Sequence, residues 1–258
     1  MKKNNSMRAA GGLMIATMLT TSIVSGTYAK YVTSDSATDT ARVAKFGVTV
    51  AASGSLFDTT YMSSEGGNKP GGKDAVDTND TTLTVESSTA DKLLAPGTKN
   101  DEGLTFSITG TPEVDVNLVI SVDTYEEIFL KKTETTPYPD MTTGDESDTF
   151  NLEADYYPVT FTLTQTKNGT TTALAEDKML SEIKTTLQGL STRYDANKNL
   201  ANEVGTLNLT WEWAFEQGQD QADTLLGDLA AGTVTGIDTA NYNLNANIEL
   251  TVSVTQVD

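Results

Sequence analysis

Two tryptophans flank a glutamate at Trp211-Glu212-Trp213, the stretch of this chain whose residue types most suggest chemistry. Indole faces stack on sugar rings, and a carboxylate paired with a second acid can hydrolyse a glycosidic bond. In an extended strand, however, alternate side chains point to opposite faces, so Glu212 lies on the other side from both indoles. The indoles share their side with Leu207, Leu209 and Phe215. Two readings follow: a sugar-stacking platform, or a strand whose aromatic face fills a core. No partner acid for Glu212 can be nominated, and the chain is expected not to be an enzyme.

Carboxylates also gather at Asp74-Ala75-Val76-Asp77-Thr78-Asn79-Asp80 and between Asp140 and Asp148. The run Asp195-Ala196-Asn197-Lys198-Asn199 opens like an EF-hand loop. It then places Leu200 where glycine is required and Thr206 where the bidentate glutamate belongs. Weak calcium binding in the other acidic loops is the one ion chemistry left open, and no cofactor is expected. The 258 residues contain no cysteine and no histidine. That removes thiol nucleophiles, imidazole bases, Ser-His-Asp triads, ordinary zinc sites and disulfide staples.

The elements that would position these residues begin with an export signal. Lys2, Lys3 and Arg8 precede an uncharged run from Ala9 to Val24, and Thr27 and Ala29 put small residues at −3 and −1 of a peptidase site. Cleavage after Ala29 makes Lys30 the first mature residue. The alternative is an uncleaved anchor, for which the run is short and diluted by Gly, Thr and Ser. The leader holds three basic residues and no acidic one, so the mature chain carries 14 basic against 36 acidic residues, about −22. Such a polyanion repels nucleic acid and anionic membranes, so membrane contact is expected only through the leader. With no sorting motif or apolar tail after Val254, the protein is expected to be released, or held by assembly.

Period-two alternation predicts an antiparallel β protein. Strands are expected at 44–50, around Leu83 and Val85, then with Leu104, Phe106 and Ile108 on one face. Val114, Val116, Leu118, Ile120 and Val122 make the next face, and Tyr157, Val159, Phe161 and Leu163 another. Leu207 to Phe215 and Leu244 to Val254 complete the set. Asn168-Gly169 is a hairpin turn signal. Helical spacing predicts helices over 176–187 and 220–231. The expected architecture is a mostly β, antiparallel two-sheet sandwich of jelly-roll type with two short helices and long polar loops. Its domains are a leader at 1–29, an extended segment at 30–41, and one sandwich over 42–258 with polar insertions near 53–81 and 133–149.

Several blocks together resemble the TasA/camelysin family of Gram-positive bacteria. They are the Thr27-Tyr28-Ala29 leader end, the aromatic-led Asp/Ser/Thr-rich linker after it, the short strand at 44–50, and the Leu93-Leu94-Ala95-Pro96-Gly97 turn. Trp211-Glu212-Trp213-Ala214-Phe215-Glu216, followed by Gln221-Ala222-Asp223-Thr224-Leu225-Leu226-Gly227, looks like the paired strand and helix of clostridial relatives. The similarity spans most of residues 10–258 in disconnected blocks, and the two long loops match nothing in it. The resemblance implies a dedicated signal peptidase and a secreted, fibre-forming subunit of a biofilm matrix. It further implies that the segment freed by cleavage joins the sheet of a neighbouring subunit. Here that segment is Lys30 to Ala41, including Lys30, Tyr31, Val32, Thr33, Ala37 and Ala41, of which only Tyr31, Val32, Ala37 and Ala41 are apolar. Implied partners are further copies of the chain, the peptidase and other matrix proteins, in the extracellular matrix or at the cell surface. Camelysin-like members are described as metallopeptidases. This chain has no histidine from which to build H-E-x-x-H, so that activity does not carry over. The rival from another class is a monomeric surface adhesin or carbohydrate-binding module; a secreted hydrolase is a weaker third.

Overall fold

The computed structural model describes residues 42–62, 84–134, 137–143, 147–214 and 218–257. The expected leader, the expected cleavage residues Thr27, Ala29 and Lys30, the segment to Ala41, the acidic run at 74–80 and Phe215 lie outside them. Among the described residues the chain is mostly β, with fourteen strands and three α-helices.

The larger sheet has five antiparallel strands. From edge to edge they are β1 (Val48–Gly54), β4 (Thr98–Gly110), β12 (Gly205–Trp213), β9 (Thr160–Lys167) and β10 (Thr170–Lys178). Strict alternation along β12 sends Leu207, Leu209, Trp211 and Trp213 inward. Phe106 and Ile108 of β4 and Phe161 and Leu163 of β9 flank them in the core. β9 and β10 are joined by the expected two-residue turn. Asn168 (φ +51°) and Gly169 (φ +78°) adopt the left-handed conformations that suit strand twist there.

The second sheet sets β5 (Val116–Glu126) between β11 (Thr192–Tyr194) and β14 (Asn247–Gln256), again antiparallel. Val116, Leu118, Ile120 and Val122 of β5 are buried in the same core as the larger sheet's apolar face. Three two-stranded ribbons complete the β structure: β2 (Thr60–Met62) with β3 (Thr84–Glu86), β6 (Phe129–Leu130) with β13 (Tyr242–Asn243), and β7 (Tyr138–Pro139) with β8 (Thr149–Phe150).

Helix α1 (Leu180–Gly189) packs on β5, β9 and β10, so it touches both sheets, and it buries Leu180, Ile183 and Leu187. Its start is later than the predicted 176, because residues 176–178 extend β10 past a bulge. Two carboxylates satisfy its first amides: Leu180 N–H donates to Glu127, and Met179 N–H to Glu182 Oε2 at 3.3 Å. The unexpected third helix is the single turn α2 (Leu200–Glu203). Helix α3 (Asp220–Ala231) has the predicted bounds and ends on Gly232 at φ +71°.

The first strand begins at Val48 and not at Ala44, because the Lys45 backbone is occupied in bonds to Glu113. The insertion expected near 53–81 starts as core: Leu56 and Tyr61 are buried, and Tyr61 meets Trp211 edge-on at 5.5 Å. The insertion near 133–149 likewise buries Tyr138, whose hydroxyl donates to Lys131 O at 2.7 Å.

The main irregularity is a bulge in β4. Leu209 faces Leu104 but Trp211 faces Asn100, so Asp101 and Glu102 are extra residues in β4. Asn100 is fully buried and holds the bulge. Its Nδ2 donates to Ser55 O (2.7 Å) and Leu56 O (2.8 Å), and its Oδ1 accepts from Gly103 N (2.7 Å) and Glu102 N (3.0 Å). Gly103 sits at φ +69°, where a Cβ would fall 2.2 Å from Leu209 O, so only glycine fits.

Candidate assembly edges and a buried carboxylate

The two sheets are covered differently at their two sides. On the β10 side, α1 lies across both. On the other side β1 and β14 adjoin each other, and among the described residues no further strand pairs with the outer edge of either. Burial follows this difference. Val50 pairs with Ile108 and so shares its core-directed face, yet it is 38% exposed. Ile248, Leu250, Val252 and Val254, expected to face inward together, do so and are only half-buried.

Chain entry and the last described residues meet at one end of these edges. Arg42 forms a two-pronged ion pair with Glu113 in the turn between β4 and β5; its Nη1 lies 2.6 Å from Oε2. Lys45 N donates to Glu113 Oε2 at 2.8 Å, and Glu113 N returns a bond to Lys45 O at 2.8 Å. The Arg42 bond and the Lys45 amide hold the Glu113 carboxyl down at about 2. Two residues on, Asp115 pairs with Arg193, accepts from Ala196 N at 2.9 Å, and through its carbonyl accepts from Val257 N at 2.9 Å. Arg42, the first described residue, therefore sits beside the start of β1 and the end of β14.

Trp211 and Trp213 are core residues, 2% and 4% exposed, and present no ring face for a sugar. Glu212 lies on the opposite face, as alternation requires. The opposite end of the core holds a carboxylate that alternation gave no reason to single out. Asp223 of α3 is 8% exposed; its Oδ1 accepts from Tyr156 Oη (2.7 Å) and Trp213 Nε1 (3.1 Å). Burial pushes its carboxyl up to about 6, against the pull of those two bonds. Tyr156, assigned by alternation to the solvent side, is buried because β9 starts only at Thr160 and leaves it outside the strand's regular pattern. Its hydroxyl is driven upward first by burial and then by Asp223.

Asp140, which opens the acidic stretch running to Asp148, is also buried. Its Oδ1 takes bonds from Thr142 N (3.0 Å) and Oγ1 (2.6 Å), and its Oδ2 takes one from Gln221 Nε2 (2.6 Å), tying the loop to α3. In the 195–199 run, Asn199 caps α2 by accepting from Ala201 N at 3.1 Å. Among the described residues no group of three or more acidic side chains is placed to hold a metal ion. Thr27, Ala29, Lys30, Tyr31, Val32, Thr33, Ala37 and Ala41 all fall outside the described residues. No protein-family model, curated protein or solved structure shows significant similarity to this chain.

Proposed function

We propose that this chain is a secreted structural subunit of an extracellular biofilm-matrix fibre, non-catalytic, with the two sheets acting as the layers of a jelly-roll sandwich. A dedicated signal peptidase releases Lys30, and the segment Lys30–Ala41 of one copy adds as a strand to the side of the next copy where β1 and β14 adjoin. Main-chain hydrogen bonds carry this kind of addition. The observation behind it is that side of the core: two strand edges without a partner among the described residues, with Val50, Leu250 and Val252 facing inward yet incompletely covered. An added strand would satisfy the edge amides and cover those side chains together. The resemblance of the leader and of the 211–227 blocks points the same way.

The test compares protein starting at Lys30 with protein starting at Arg42, by sedimentation and negative-stain imaging across a salt series with and without calcium. Fibres are expected only from the longer form. They should be promoted by salt, which screens the repulsion between subunits of about −22 each. Equal fibre formation by both forms would sink strand donation. Monomers from both in every condition would favour the adhesin reading.

A further inference from the structure

Asp223 lines a pocket of about 140 Å³ walled by Leu94, Pro96, Ile128, Leu226 and Leu244, with the Trp213 ring beside it. Three features of this pocket are unexplained by packing alone. First, both bonds to the carboxylate fall on Oδ1; among the described residues no donor reaches Oδ2. Second, among the described residues no lysine or arginine pairs with Asp223, and the charge that influences it is another carboxylate, Asp220. A buried carboxylate without a countercharge is costly, so a cation set against it would be favoured. Third, Gly227 also lines the pocket. It sits inside α3, where glycine is less favourable than alanine. A Cβ added there would meet nothing within 4 Å, so crowding does not require glycine. The small residue keeps the space open.

We propose that this pocket binds an alkylammonium group, the apolar walls taking the stem and Asp223 Oδ2 accepting from the ammonium head. A metal ion does not suit the site. Calcium needs six to eight oxygen ligands, and Asp223 supplies the one carboxylate among the lining residues. A neutral alcohol would leave the carboxylate without a countercharge. A primary ammonium on a short apolar stem satisfies both halves of the pocket, and the strongly negative chain favours its approach. The ammonium can belong to a lysine side chain of a protein partner or to a free polyamine.

Calorimetric titration of the protein at pH 7.5 with n-butylammonium tests this, with n-butanol as the uncharged control. A dissociation constant on the order of 1 mM is expected for so small a ligand, weakening as the pH falls below 6 and the carboxyl takes up a proton. Asp223→Asn keeps an oxygen for Tyr156 and Trp213 and should lose at least tenfold in affinity. Gly227→Leu leaves the carboxylate in place, fills the space and should abolish binding. Unchanged circular dichroism and a cooperative melt verify the fold of each variant. Spermidine and a terminally blocked lysine peptide form the two source arms, and the tighter binder identifies the source. Absence of saturable binding by any of the three amines overturns the proposal. So does equal binding of n-butanol, or equal amine binding by wild type and both variants.

Discussion

On one side of the core, α1 lays Leu180, Ile183 and Leu187 across both sheets; on the other, β1 and β14 adjoin with nothing laid over them among the described residues. Their sequences look alike at first reading. Leu250, Val252 and Val254 alternate as cleanly as Leu118, Ile120 and Val122 on neighbouring β5, yet the β5 set is buried and the β14 set is half-buried. Alternation decides which side chains face the core. It does not decide whether anything covers them. That is settled by an element from elsewhere in the chain, or, under the proposed assembly, from another chain.

The largest effects should separate the two sides directly. Ile183→Ala on the covered side and Trp211→Ala in the centre should each cost about 2–5 kcal/mol of monomer stability, as removal of fully buried side chains does. Leu250→Ala on the open side should cost less than half as much in the monomer, while reducing fibre yield more than Ile183→Ala does. Denaturant titration and sedimentation measure the two, and equal losses of monomer stability at 183 and 250 would erase the distinction.

A smaller effect concerns pH. The folded-state pKa of Asp223, about 6, lies above its unfolded value near 3.8. Its contribution to stability is therefore fully present below pH 3.8 and lost as pH rises through 6, by up to roughly 3 kcal/mol. Glu113, held at about 2 on the open side, has the opposite sign: its contribution is present above the unfolded carboxylate pKa near 4.5 and lost as pH falls through 2. Between pH 5 and 7.5 the stability difference between wild type and Asp223→Asn should therefore move against the wild type as pH rises. A flat difference would mean that the carboxylate is not desolvated.

The smallest effect is expected at Arg42. Its ion pair is exposed and screened by solvent, so Arg42→Ala should leave the melting midpoint unchanged. Hydrogen exchange at the Lys45 amide, which donates to Glu113, should quicken. A lowered midpoint would make the root of the open side a structural strut.

The alternating strands, the Asn168-Gly169 turn and α3 were legible because each is written in local periodicity or turn chemistry. The covered side was only half legible. The spacing of Leu180, Ile183 and Leu187 gave a helix, but its placement on both sheets depends on contacts distant in sequence. Leu56, Tyr61 and Tyr138 were hidden because single apolar anchors inside polar text carry no period. Asn100, Asp140 and Asp223 were hidden for a related reason. Composition assigns polar side chains to solvent, and only the folded neighbours reveal that each is buried. A signal was present for Asp223 in its place on the apolar side of α3 beside Ala222, Leu225 and Leu226.

Arg42 and Val257 dock on the same β4–β5 turn, so under the proposed assembly a strand made by the residues before Arg42 on its own subunit would run toward that turn. Running toward that turn, Lys30–Ala41 would lie antiparallel to β1 and parallel to β14 of its own subunit, with residues 42–47 as the connection. Twelve extended residues reach about 40 Å, so the same segment is also long enough to enter a neighbour. Under the proposed assembly, each processed chain would thus be its own competitor. A short tether presents its segment to its own edge at an effective concentration in the millimolar range, well above that of dilute copies. Growth would then proceed by exchange, as in domain swapping, with a lag set by release of the self-paired strand and shortened by seeds that present an open edge.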